Sequence, residues 1–138
     1  MKKQKPTKAK ALLEKDEQKL IFKWWFKQYP KFDMCLFSSL NGISLGGSYK
    51  QRSITINSAR AQGMLNGVSD IQLCVARGGY HGMFIELKRS NGKESNVTPC
   101  QWSFIYAMRE QGYYATWCAG HTQAIDLITG YMEGRLVK

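Results

Sequence analysis

The sequence predicts an α/β fold, with a mixed central sheet of about four strands flanked by helices. Short apolar runs bounded by turn residues mark strands near 34–40, 70–76, 82–89 and 113–119. Longer runs with helical spacing lie between or around them. A helix separates the last two strands, as a parallel crossover requires, whereas a glycine-rich turn joins the middle two as a hairpin. The predicted order is α-β-(α)-β-β-α-β-α. At 138 residues and 43% hydrophobic, the chain is sized for one domain with a real core, and its composition excludes disorder.

Residues 1–10 are Lys-rich, contain Pro6 and have almost no apolar side chains, so they are expected to form a basic arm ahead of a single domain at 11–138. The arm is read either as a non-specific phosphate contact or as a solvated tail. A helix is expected at 11–28, ended by Tyr29-Pro30. Its apolar face would hold Leu13, Leu20, Ile21, Trp24 and Trp25. Glu17 falls near the middle of that face and Glu14 at its edge. A carboxylate inside a buried stripe is costly unless it is paired or binds a metal. The alternative is a small rotation of the helix that returns Glu17 to solvent.

The first strand should close at Asn41-Gly42, and residues 43–57 read as a loop through Gly46-Gly47. Lys50, Arg52 and Arg60, in and after that loop, are the candidate contacts to nucleic-acid phosphates. A short helix is expected at 58–65, stopped by Asn66-Gly67. The two hairpin strands follow, joined by a turn at 77–81. Thr98, Pro99 and Gln101 then spell a capping box that opens a helix carrying Trp102, Ile105, Tyr106 and Met108 and stopping at Gly112. After the fourth strand, Thr122 is expected to cap a last helix with Ala124, Ile125, Leu127, Ile128, Tyr131 and Met132 at helical spacing.

The formal net charge of +10 favours a polyanionic partner, most commonly nucleic acid, with acidic membrane surfaces as the rival. There is no apolar run of the roughly 18 residues a membrane span needs, and the basic N-terminus lacks the apolar segment of a secretory signal. Cys35, Cys74, Cys100 and Cys118 form no C-x-x-C pair and have no His at zinc spacing, so they are read as buried thiols in a reducing cytoplasm.

The stretch from Gly67 to Lys88 carries the chemistry. In a strand, Phe84, Glu86 and Lys88 share one face while Met83, Ile85 and Leu87 share the other. Asp70 opens the neighbouring strand, and a turn near Gly78 or Gly79 would bring it level with Glu86. Setting both on one face needs an even register or a bulge. Two close carboxylates repel unless a cation lies between them, and Mg²⁺ suits such hard oxygen ligands. Lys88 would orient the attacking water or stabilise the transition state. E-x-K alone is close to a chance pattern, and a surface ion pair on an edge strand would produce it too. The apolar strand around it, the preceding Gly-x-x-Asp and the basic charge give it weight.

These residues resemble a known family. Gly67-Val68-Ser69-Asp70, then His81-Gly82-Met83-Phe84-Ile85-Glu86-Leu87-Lys88, then Gln101, are similar to the VRR-NUC branch of the PD-(D/E)xK nucleases, particularly its small stand-alone bacteriophage members. Glu14-x-x-Glu17-Gln18 with Trp24, Asn41-Gly42 and Gly112-Tyr113 extend the likeness over most of the chain. The resemblance implies a restriction-endonuclease-like core and Mg²⁺- or Mn²⁺-dependent hydrolysis of DNA. It also implies a homodimer acting on branched DNA such as four-way (Holliday) junctions, in the host cytoplasm if the chain is phage-encoded. By position it makes Asp70 and Glu86 metal ligands, Lys88 the catalytic lysine and Gln101 the motif glutamine. The Leu87 carbonyl is a further ligand candidate. The acidic set would be completed by Glu17, favoured by the helical-face argument, or by Glu14. Gln101 has a competing role in the capping box, and His81 and His121 read as turn and cap residues. Ser69 stands where the family has proline, which loosens the strand entry but removes no ligand. A non-catalytic nucleic-acid-binding module on the same fold is the alternative.

Overall fold

The computed structural model describes residues 9–39 and 45–138. Most of the expected basic arm, the end of the first predicted strand and the Asn41-Gly42 closure lie outside the described residues. The chain runs through α1 (Glu14–Gln28), β1 (Leu36–Ser38), α2 (Tyr49–Ala61), β2 (Ile71–Leu73), β3 (Met83–Lys88), α3 (Pro99–Glu110), β4 (Tyr114–Ala119) and α4 (Gly120–Met132). The four strands lie in sequence order, antiparallel from β1 to β3 and parallel between β3 and β4, with α3 as the crossover. This is the mixed sheet the residue pattern predicts.

The sheet separates two apolar layers. Met83, Ile85 and Leu87 of β3 face Ile21 and Trp25 of α1 and Ala124, Ile128 and Tyr131 of α4. On the other face, Phe84 packs with Val97, Ile105 and Ala115 beneath α3. Burying the large side chains of both layers is the main stabilising contribution, at roughly 1.5–3 kcal/mol per fully buried apolar residue. Tyr131 adds a buried hydrogen bond, its hydroxyl donating to the Val75 carbonyl at 2.7 Å.

Several local expectations are corrected. The predicted strand at 34–40 is shorter, because Pro30 opens a 3₁₀ segment that runs to Cys35. The predicted loop at 43–57 is largely helix, and the short helix expected at 58–65 is the end of that same α2. Ser48 caps it through Gln51 N–H while the Gln51 side chain accepts from Ser48 N–H, a capping box that prevails over the preceding Gly46-Gly47. No residue of α2 is buried. Thr122 is not a cap, since α4 already begins at Gly120. In α1 the apolar face is rotated from the one expected. Leu13 and Leu20 are exposed, Trp24 is half-buried, and the buried line is Glu17, Ile21 and Trp25. All four cysteines are free, but only Cys118 is buried, whereas Cys74 and Cys100 are exposed.

The hairpin turn has positive φ at both Gly78 and Gly79, the backbone of a tight two-residue β-turn between Arg77 and Tyr80. Between Leu73 and Arg77 the first strand has one residue more than its partner has between Tyr80 and Met83. That extra residue sits at the turn end and leaves the ladder regular at the far end.

Candidate active site

The regular ladder sets the first element of the site. Ile71 pairs with Ile85, so extending the antiparallel register by one residue sets Asp70 opposite Glu86. Directly opposite residues share a face, which answers the register question without a bulge at this point. Asp70 Oδ2 accepts the Leu87 N–H at 2.8 Å, which locks it against β3. Gly67 lets the preceding chain in. A Cβ there would lie 2.5 Å from the Cys100 carbonyl group, and its φ is +84°. The glycine of Gly-x-x-Asp is therefore required by the close approach of this segment to the first turn of α3.

Glu86 and Lys88 are almost fully buried, at 1% and 8% exposure. Lys88 Nζ donates to Glu86 Oε1 at 3.0 Å and to Gln101 Oε1 at 3.1 Å, and Gln101 Nε2 donates to the same Glu86 oxygen at 2.6 Å. Gln101 Oε1 also accepts the Thr98 N–H at 2.8 Å. The two roles weighed for Gln101 are thus not alternatives. The capping box fixes the rotamer that delivers its amide to Glu86. Satisfied on one oxygen, Glu86 has its other oxygen, Oε2, buried without a donor, and its carboxyl lies against that of Asp70. Two buried carboxyl groups in contact are costly unless a proton or a cation lies between them. Burial first, and the neighbouring Asp70 charge second, raise the Glu86 pKa to about 7. Burial also raises Asp70, opposed by the Leu87 N–H and reinforced by the Glu14 charge.

A cavity of about 720 Å³ opens onto these residues, with Asp70, Glu86, Lys88 and Gln101 on one side and α1 on the other. The α1 side holds the stripe Glu14, Gln18 and Phe22, four residues apart and adjacent to the buried stripe, with Lys15 and Lys19 beside it. Glu14 is the first helical residue and is exposed. Glu17, expected to be the helix-one ligand, is absent from that lining and is 1% exposed. Its Oε2 accepts the His121 N–H at 2.7 Å and contacts His121 Nδ1. The reason lies in α4. Its N-cap, Ala119, has no side-chain acceptor, so the first turn of the helix takes the Glu17 carboxylate as its anion. The buried carboxylate expected on α1 is present, and its hydrogen-bond partner among the described residues is His121.

Among the described residues no three His, Cys, Asp or Glu side chains form a ready metal cage. The donors nevertheless fit a hard divalent cation that keeps most of its waters. Asp70 and Glu86 are adjacent carboxylates with raised pKa, one with a free buried oxygen, and Glu14 stands across the cavity. Lys50, Arg52 and Arg60 are all exposed on α2 and are not in this lining. His81 is exposed and packs edge-on against Tyr113, as a turn residue would. Sequence reading missed Arg89, whose guanidinium bonds to the chain just before α1. Its position directly after Lys88 was the available signal.

No protein-family model matches the chain, and no curated protein was found to match it. A solved structure described as a VRR_NUC domain protein superposes with a TM-score of 0.75 at 24% identity, covering 91% of this chain and 93% of its own. The chain has the fold of that VRR_NUC domain protein.

Proposed function

We propose that the protein is a metal-dependent DNA endonuclease selective for branched DNA such as four-way junctions. The observation that carries this reading is the buried Glu86–Lys88–Gln101 network, in which Glu86 Oε2 has no donor and its carboxyl lies against that of Asp70, beside a cavity that these residues line. A purely structural ion pair would have both carboxylate oxygens satisfied or exposed. The fold likeness to a VRR_NUC domain protein agrees with the reading.

Asp70, Glu86 and Glu14 would hold Mg²⁺ or Mn²⁺. When bound, the ion supplies a water of lowered pKa and neutralises charge on the scissile phosphate. Lys88 contributes a fixed positive charge at the cavity wall, held by two hydrogen bonds so that it need not reorganise as charge builds on the phosphate. Gln101 keeps Glu86 and Lys88 in register. Residues 34–69 contain no Asp or Glu, so the exposed Lys50, Arg52 and Arg60 of α2 have no acidic side chain on their own helix to compete with DNA phosphates. The working unit on this reading is a homodimer in the cytoplasm, its two centres facing the two strands of a junction.

The test uses labelled four-way junction, flap and linear duplex DNA with Mg²⁺, Mn²⁺ or EDTA. Cleavage of at least one branched substrate is expected with metal only, and Glu86→Ala and Lys88→Ala should each reduce it by about 10³-fold or more. Cleavage by either variant at the wild-type rate would refute the site. Tight binding without cleavage in either metal would make the protein a binding module.

A further inference from the structure

We infer that Arg89 is a positioning residue, which sets the start of α1 so that Glu14 faces the Asp70–Glu86 pair. This inference rests on the metal-centre reading above. Glu14 occupies the least secure place on a helix. It is the first helical residue, and the N-cap before it, Leu13, makes no side-chain cap hydrogen bond. The first turn of an uncapped helix frays, and a ligand on it is poorly placed. The next turn is held from elsewhere, because Glu17 is tied to α4 through His121. That leaves the segment ahead of Glu14 as the free end.

Arg89 holds this end. Its Nη2 donates to the Ala11 carbonyl at 2.5 Å and its Nε to the Leu12 carbonyl at 2.9 Å. The two bonds use the planar fork of the guanidinium, which a lysine ammonium does not reproduce. Arg89 follows directly on Glu86-Leu87-Lys88, so the strand that carries the site also holds the start of the opposite wall. Glu14, Lys88 and Arg89 together line a smaller cavity beside the main one. Partners that orient a metal ligand from behind typically change metal affinity by about 10–100-fold when removed.

The experiment measures Mn²⁺ affinity of the full chain by calorimetry for wild type, Arg89→Ala, Arg89→Lys, Glu14→Gln and the Arg89→Ala/Glu14→Gln double variant. Amide exchange along α1 is followed in the metal-free proteins. Arg89→Ala should weaken Mn²⁺ binding by about tenfold, with Arg89→Lys in between, and should add nothing once Glu14 is Gln. The Glu17 amide, which donates to the Leu13 carbonyl at 3.0 Å, should exchange faster in Arg89→Ala without metal. A purely structural Arg89 would weaken binding equally in both backgrounds, and that result overturns the inference. So does unchanged exchange at Glu17. Wild type that binds no Mn²⁺ would overturn the metal-centre reading itself, and this inference with it. Wild type that binds Mn²⁺, with Glu14→Gln weakened and Arg89→Ala unaffected, would overturn only this inference.

Discussion

On the strand side of the cavity, Glu86, Lys88 and Gln101 bond to one another across sequence separations of 2, 13 and 15 residues. On the helix side, Glu17 is tied to His121 across 104 positions, and the start of α1 is tied to Arg89 across 77 and 78. The strand wall is nearly self-sufficient, since a hairpin, a loop and one capping box assemble it. The helix wall takes its shape from two partners that know nothing of its own periodicity. Those distant partners set where Glu14 and Glu17, one helical turn apart, come to lie.

The largest effect that separates the walls comes from the two glutamates. On the proposed reading, Glu14→Gln should lower metal-dependent cleavage by about 10²-fold with little change in melting temperature. Glu17→Ala should instead cost about 1–3 kcal/mol of stability, because the His121 N–H at the α4 terminus loses its acceptor. Its cleavage per folded molecule should be near wild type. Denaturant melts beside single-turnover rates decide this, and the reverse pattern would return Glu17 to the site.

The strand wall has its own signature in pH. Glu86 is raised from 4.5 to about 7 by burial and by Asp70, so the folded protein holds a proton there that the unfolded chain releases. Its contribution to stability is present below about 4.5 and is lost as pH rises through about 7. In EDTA the melting temperature should fall over that window, by up to roughly 3 kcal/mol in stability. Glu86→Gln should flatten the profile, and saturating Mg²⁺ should reverse it. A flat wild-type profile in EDTA would mean that Glu86 is ionised without help.

The smallest expected effect is beside Asp70. The Ser69 hydroxyl is fully buried with no hydrogen-bond partner. Ser69→Ala should therefore stabilise the protein by about 1 kcal/mol in a urea melt. A clear loss of stability would reveal a bond to that hydroxyl.

The strand wall was legible because its information is local. Alternation assigns the faces of β3, the glycine turn sets the hairpin, and Thr98-Pro99-x-Gln101 starts α3. The mixed sheet with its parallel crossover follows from the order of these pieces. The same local chemistry starts α2 at Ser48 and Gln51, where the preceding glycine pair points instead to a loop. Leu13 and Leu20 misled in a different way. Exposed leucines are ordinary, and their inclusion shifted the expected apolar face of α1.

By itself the sequence determined the α/β order, singled out Asp70, Glu86, Lys88 and Gln101, which the fold brings together, and marked a carboxylate on the buried side of α1. Only the tertiary structure decided what that carboxylate is for. Nothing near Glu17 in the chain announces that α4 would start on Ala119 without a side-chain acceptor for its first N–H groups. Once α1 and α4 pack together, the nearest buried anion satisfies that terminus. The cavity is then left to the next stripe of the helix, where Glu14 lies.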